Sequence, residues 1–369
     1  MHKAESMRDS FANLVVLLAT KAKIQLDHVL SFPITQYPLA IAHSDGQLLK
    51  TTKSKLSNMF ETYQTSNNTS DVVFDAALFD GGFVLHSYLS SLGRIANYGS
   101  LAKYLLNHIM KQYKQVKEVH VCFDTYSVSS LKFHERERRG QCDSQFHITG
   151  AEQAPQQTLD KLLRNSSFKD ELCKFLQNEW QKPEYQIYLG NKTLFVSYGG
   201  YCVKIASVIE VPPDMQGSHD EADTLIAFHA SLCEGNLVVR ATDTDVMIIL
   251  IGMLYKHTEE QVPVKYQTII MDTGVGNCQR FVHLSKIYHE LETHSVGIYG
   301  ALIAFHSLTG SDYTSAFYRK GKVSPFKLLM NELNADGGES WLEAFKQMTS
   351  RSFSEEEKIE NFVCAICTG

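Results

Sequence analysis

The sequence predicts an α/β fold: a three-layer α/β/α arrangement around a mainly parallel central sheet. Two observations lead there. Short apolar runs recur, and acids stand at their ends: Val72 to Phe79 before Asp80, Val116 to Phe123 before Asp124, and Leu237-Val238-Val239 before Asp243 and Asp245. A stretch of helical length, Phe83 to Tyr113, lies between the first two runs. Strand, helix, strand in that order is a βαβ unit, and its right-handed crossover puts both terminal aspartates on one sheet edge.

Each element can be justified in turn. Residues 1–30 read as helical, with apolar Phe11, Leu14, Val15, Leu18 and Ile24. Phe32 to Leu39 contains Pro33 and Pro38 and reads as extended. Ser44-Asp45-Gly46 is a turn signal, and Lys50, Lys53 and Lys55 follow as a solvated strip or, alternatively, a phosphate-contacting one. Residues 62–71, rich in Ser, Thr and Asn, read as a linker, so 1–71 form an N-terminal extension. The 83–113 helix is expected to break near Gly93 or Gly99.

Residues 125–210 interrupt the rhythm and read as an insertion over the sheet edge. It would hold a helix from Phe168 to Trp180 and strands at Tyr185–Ile187, Leu194–Ser197 and Val203–Val211. The rhythm then resumes. A helix starts at Glu221-Ala222-Asp223, strands span 236–241 and Val264–Met271, and helices span Phe281–Leu291 and Ile298–Leu308. Residues 331–369 form a charged helical tail. It ends without a stop signal, so a truncated chain is expected.

Composition narrows the classes. A chain of 369 residues, 44% hydrophobic, builds a large core. A net charge of −6 disfavours a general polyanion binder but permits a local basic groove. Eight cysteines without a regular framework fit a reducing compartment. Cys364 and Cys367 form a C-x-x-C with no second pair to complete a zinc site. No run is long enough to span a bilayer and no secretory signal is evident, so the sequons at Asn67, Asn68, Asn165 and Asn191 read as chance matches.

Seven acids stand at element ends or turns: Asp80, Asp124, Glu221, Asp223, Asp243, Asp245 and Asp312. Singly, such acids cap helices or make turns. Together, on one edge of a parallel sheet, they cannot all stay ionised without cations, which makes them a divalent-metal hypothesis.

In order and context these motifs resemble the flap-endonuclease branch of the PIN-like 5′-nuclease superfamily. Phe79-Asp80, Phe123-Asp124, Glu221-Ala222-Asp223, Thr242-Asp243-Thr244-Asp245 and Leu308-Thr309-Gly310-Ser311-Asp312-Tyr313 look like its successive acidic motifs, across residues 72–330. The chain is also similar to uncharacterised, mobile-element-associated animal proteins with His-x-Glu-Ala-Asp-Thr and Leu-Thr-Gly-Ser/Cys-Asp motifs. The resemblance implies two Mg²⁺ or Mn²⁺ ions, the first on Asp80, Asp124, Glu221 and Asp223 and the second on Asp243, Asp245 and Asp312. It further implies that Lys132 and Arg139, seven positions apart on one helix face, contact the scissile phosphate, with Arg136 beside them. The competing reading is a solvated ion-pair helix using Glu135 and Arg139. His86 stands where the family has a base-stacking aromatic; a plain helix-face residue is the alternative. Arg319, Lys320 and Lys322 replace the glycine-rich duplex-binding hairpin, with Gly321 the one glycine there.

The expected function is therefore metal-dependent hydrolysis of DNA or RNA phosphodiesters, in an intracellular and preferentially nuclear protein. The alternative is a nuclease-derived binding or scaffold protein without turnover. A phosphatase of the HAD type also uses Asp-x-Asp, but it places the pair after the first strand, where this chain has Asp80 alone.

Overall fold

The computed structural model describes residues 12, 13, 15, 16, 35–64, 72–89, 92, 95–125, 145–217, 219, 221–259, 266–294, 296–333, 339–348, 350 and 352–368. Most of the expected N-terminal helix, most of the 62–71 linker and the whole Lys132–Arg139 strip lie outside them.

The protein is α/β, built on one mixed sheet. Strands β1 (Ala76–Asp80), β2 (Glu118–Cys122), β3 (Thr193–Tyr198), β4 (Tyr201–Ile205), β5 (Ile209–Glu210), β6 (Gly235–Arg240), β7 (Tyr266–Thr273) and β8 (Arg280–His283) align in the order β5-β4-β3-β2-β1-β6-β7-β8. Strands β3, β2, β1, β6 and β7, adjacent in that order, are mutually parallel, and antiparallel pairings add β4 and β5 at one edge and β8 at the other. β1 lies at the centre, with Asp80 beside Cys122 of β2 and Phe79 beside Arg240 of β6.

A strand's side chains alternate between faces, and β1 divides accordingly. Ala76 and Leu78 enter one core cluster, while Ala77 and Phe79 enter another. The second cluster takes in α2 (Gly81–Leu89), α3 (Tyr98–Gln112) and α4 (Ser166–Glu179). The first takes in α1 (Ser54–Glu61), α5 (Ala222–Leu232), α6 (Thr244–Glu259), α7 (Leu284–His294), α8 (Ile298–Leu308), α9 (Val323–Leu333), α10 (Glu339–Gln347) and α11 (Glu356–Thr368). Leu302 and Phe305 of α8 are fully buried, each worth about 1.5–3 kcal/mol relative to exposure. Among the described residues no helix is long and apolar enough to cross a membrane.

Four expectations need correction. Residues 193–210 do not lie over the sheet edge: β3 pairs in parallel with β2, and β4 and β5 continue the sheet. Tyr185–Ile187 is not a strand, because Pro183 opens a 3₁₀ turn that runs into a short helix, Gln186–Leu189. The expected helix at Phe281 begins only at Leu284, after β8. The 1–71 region is no mere appendage, since Leu56 and Phe60 of α1 are fully buried and Phe60 packs edge-on against Phe326 at 5.3 Å. The break between α2 and α3 falls where expected, and Asn97 caps α3 by accepting the Ser100 N–H at 2.9 Å.

Candidate metal centre

Three neighbouring parallel strands deliver aspartates to one edge. Asp80 closes β1, Asp124 follows β2, and Asp243 follows β6 by three residues. The turn after β1 needs glycine. A Cβ on Gly81 would stand 2.3 Å from the Phe123 ring and 2.7 Å from the Cys122 carbonyl. A Cβ on Gly82 would lie 3.3 Å from Asp80 Oδ1 and 3.8 Å from Asp124 Oδ2, so both acids face the same small space.

Asp80 accepts the Phe83 N–H at 3.1 Å. Burial pushes its carboxyl up to about 6; that N–H opposes the rise, while the charges of Asp124 and Asp243 add to it. Asp124 accepts the Ala222 N–H at 2.8 Å, which fixes the start of α5 on the end of β2. Glu221 is the N-cap of α5 and accepts a hydrogen bond from the Tyr313 hydroxyl. Asp223 sits half-buried in the first turn of α5. The bend that carries Tyr313 depends on Gly310, at φ +107°, where a Cβ would come within 2.8 Å of Ala316.

The other three acids surround a lysine. Lys53 Nζ lies 2.8 Å from Asp312 Oδ1, 2.9 Å from Asp245 Oδ2 and 3.4 Å from Asp243 Oδ1. Burial disfavours its charge, yet Asp312, Asp243 and Asp245 outweigh burial and hold it firmly protonated. Asp245 is gripped from the other side by His306 Nε2 at 2.9 Å. Burial works to raise the Asp245 pKa, but His306 and Lys53 hold it at about 2. The Asp245 N–H returns to Asp243 Oδ1 at 3.1 Å.

Asp80, Asp124, Glu221, Asp243, Asp245 and Asp312 are thus tied into one edge. Among the described residues, however, no three of the acids bring ligand oxygens within 4.8 Å of one another. The set that does is Glu118, His120 and Cys233, at the opposite end of β2. There His120 Nε2 is 3.4 Å from Cys233 Sγ and 3.6 Å from Glu118, and its Nδ1 is 2.9 Å from His229, which reaches Ser197 Oγ at 2.8 Å. His120, His229, Ser197 and Cys233 satisfy one another as a buried chain, with the half-exposed Glu118 at its edge.

The basic residues divide. Lys132, Arg136 and Arg139 lie outside the described residues. His86 is exposed on α2. Arg319 and Lys320 line a groove of about 430 Å³ with Lys50, Thr51, Thr52 and Tyr318. Lys50 Nζ donates to the Asp312 carbonyl at 2.6 Å, so the groove adjoins the acids. Lys322 does not reach that surface and is corrected from a nucleic-acid contact to a structural residue. It is fully buried and donates to the His306 carbonyl at 2.6 Å and Thr309 Oγ1 at 2.9 Å. Burial pushes its ammonium down to about 7; Lys53 adds to that fall and Asp245 opposes it.

Sequence reasoning missed Lys53, His306 and Tyr313 as members of the site. Tyr313 stands next to Asp312 in the motif, and Lys53 belongs to the basic strip whose default reading was solvent. His306 is hidden inside an apolar helix.

No protein-family model matches this chain, and no curated protein matches it.

Proposed function

We propose that this chain is a metal-dependent nuclease of the flap-endonuclease-like kind. It would have a PIN-like three-layer core with an inserted arch-like region. The observation that carries this reading is the convergence of Asp80, Asp124 and Asp243 at the carboxyl ends of three adjacent parallel strands, with Glu221 tied in by α5 and Asp312 by Lys53. The carboxyl edge of such a sheet is where α/β proteins hold ligands.

The donor set fits a hard divalent ion. Its ligands are carboxylate oxygens, the kind Mg²⁺ and Mn²⁺ prefer, and Asp80 is kept from ionising at ordinary carboxyl pH by burial and by acids around it. Asp80, Asp124, Glu221 and Asp223 would hold the first ion. When bound, such ions lower the pKa of water and stabilise the departing oxygen of a phosphodiester. The chain's own residues orient the ligands: Phe83 N–H fixes Asp80, Ala222 N–H fixes Asp124 and Tyr313 fixes Glu221. Lys50, Arg319 and Lys320 give the nucleic-acid backbone a basic approach. The substrate would be DNA or RNA, in the nucleus by preference.

One observation favours a second reading, a nucleic-acid-binding or scaffold protein without turnover: Lys53 already neutralises part of the acidic edge. The test is cleavage of labelled single-stranded, flapped and duplex DNA and RNA in Mg²⁺ and Mn²⁺, comparing wild type with Asp243→Ala/Asp245→Ala. Cleavage abolished by the double substitution supports the nuclease. A folded, metal-binding chain that cleaves none of these substrates supports the scaffold.

A further inference from the structure

A second cluster of ligating side chains lies away from the acidic edge, at the amino end of β2. Glu118 and His120 stand two residues apart on that strand, so their side chains leave the same face. There they meet the end of α5, where His229 sits in the last turn and Cys233 is the C-cap. His229 and Cys233 are one helical turn apart, and both reach the His120 ring.

The separations suit shared coordination. His120 Nε2 lies 3.4 Å from Cys233 Sγ and 3.6 Å from Glu118 Oε2. The second distance is too long for an N–H···O bond. Bonds of about 2.0–2.3 Å to a tetrahedral zinc ion hold neighbouring ligand atoms about 3.4–3.6 Å apart. All three ligand atoms fall within 4.8 Å of one another.

The surroundings fix the imidazole as a ligand needs. A metal-bound histidine keeps one nitrogen for the ion and donates from the other. His120 Nδ1 is 2.9 Å from His229 Nδ1, and His229 Nε2 is 2.8 Å from Ser197 Oγ. With His120 donating to His229, and His229 to Ser197, the His120 Nε2 lone pair faces Cys233 and Glu118. Phe195 stacks on the ring, 4.4 Å between centroids and 5° between planes. Burial pushes both imidazoles down, toward the neutral form that ligates. The nearby lysines are engaged elsewhere, Lys117 with Asp75 at 3.2 Å and Lys204 with Glu210 at 2.9 Å.

Burial, with the Glu118 charge beside it, pushes the Cys233 thiol up. An ion entering there displaces the thiol proton to solvent and supplies the positive charge that the thiolate lacks. The Glu118 side chain is 44% exposed, which gives the ion a way in and water a place beside it.

We propose that Glu118, His120 and Cys233 form a zinc site, with water as the fourth ligand, that ties the start of β2 to the end of α5. Thiolate, imidazole and carboxylate together suit Zn²⁺ and not Mg²⁺. The site stands whether or not the acidic edge cleaves phosphodiesters.

The test is Co²⁺ substitution in the full, reduced chain, followed by displacement with Zn²⁺. Wild type is expected to take up one Co²⁺ with tetrahedral d–d bands and a thiolate-to-cobalt charge-transfer band. It should lose both on adding Zn²⁺ and keep both in excess Mg²⁺. Binding should release a proton and tighten as pH rises. Cys233→Ser should abolish the charge-transfer band. Glu118→Gln should weaken Co²⁺ by at least the roughly 10-fold that loss of an outer partner costs. A wild-type spectrum without the thiolate band overturns the proposal, since Co²⁺ on carboxylates alone gives none. So does a band that survives Cys233→Ser, which belongs to another thiol such as Cys364 or Cys367. Where Cys233→Ser fails to fold, unchanged affinity in Glu118→Gln overturns it equally.

Discussion

Asp124 Oδ1 accepts the Ala222 N–H at 2.8 Å, so an acid at the end of one strand anchors the helix that carries Glu221 and Asp223. On the proposed reading the same carboxylate also serves the metal centre, and the two roles separate by substitution. Asp124→Asn keeps an oxygen to accept the N–H and removes the charge. It is expected to fold within about 1 kcal/mol of wild type while Mn²⁺ affinity and cleavage fall on the order of 100-fold. Asp124→Ala loses the acceptor as well and costs about 0.5–2 kcal/mol. Denaturant melts beside metal titration read both.

Asp80 gives a pH dependence of definite sign. Burial pushes its carboxyl up to about 6 in the folded, metal-free protein, against an ordinary 3.8. A raised folded pKa contributes stability that is complete below the unfolded value and is lost as pH rises through the folded one. Metal-free protein should therefore lose stability between about pH 4 and 6, on the order of 2 kcal/mol. Asp80→Asn should flatten that slope. Excess Mn²⁺ should reverse it, because the ion selects the ionised form. Thermal melts across this range, with and without metal, check all three outcomes.

The Tyr313 hydroxyl donates to the Glu221 carboxylate. Tyr313→Phe keeps the ring and removes the donor. Mn²⁺ affinity is expected to fall about 10-fold, within the usual range for a residue that orients a ligand, with little change in the melting temperature. An unchanged affinity would remove Tyr313 from the centre.

Beyond the acids, Arg240 and Asp272 form a buried pair across the ends of β6 and β7. Nη1 donates to Asp272 Oδ1 at 3.2 Å and to its carbonyl at 2.9 Å, and Nη2 donates to the Gly274 carbonyl at 2.8 Å. Tyr113 and Gln279 also donate to the carboxylate. Asp272→Ala strands a guanidinium in the core and should cost about 3–5 kcal/mol. A denaturant midpoint unchanged from wild type would contradict this.

Arg319 and Lys320 line the groove, while Lys322 lies beneath it. Arg319→Ala/Lys320→Ala should weaken nucleic-acid binding at all sequences and reduce the salt slope by about 2, with the fold intact. Lys322→Met should act on stability instead, because the His306 carbonyl and Thr309 hydroxyl lose their donor. Salt-dependent binding and thermal melts on the two variants separate these effects.

The strands that end in acids were legible because a buried parallel strand is a continuous apolar run and its polar stop stands out, as at Phe79-Asp80 and Phe123-Asp124. Helix α8 runs over the expected residues, Ile298–Leu308, since its apolar pattern is uninterrupted. Short edge elements were not legible. Arg280-Phe281-Val282-His283 is too short to show a period, and from Phe281 on its pattern merges with that of the helix that follows. β3 reads locally as a strand, but its place in the sheet is hidden because its partner β2 lies over 70 residues earlier. Lys53 shows the same limit within the site. Nothing local distinguishes it from Lys50 or Lys55; what selects it is contact with acids about 190 and more residues away.

The segment holding Lys50 and Lys53 is also laced by backbone to the far end of the domain. Ala316 N–H donates to the Leu49 carbonyl, Tyr318 N–H donates to the Ala40 carbonyl, and the Lys50–Asp312 contact spans 262 residues. Contacts of that span are the slowest to earn back their loop-closure entropy. In a chain made from its amino end, the sheet's parallel strands are all synthesised before this clasp can close. The acidic edge therefore closes only after every strand of the sheet has been made, and a chain stalled short of residue 312 would hold those strands without Asp312 and the clasp that ties it in.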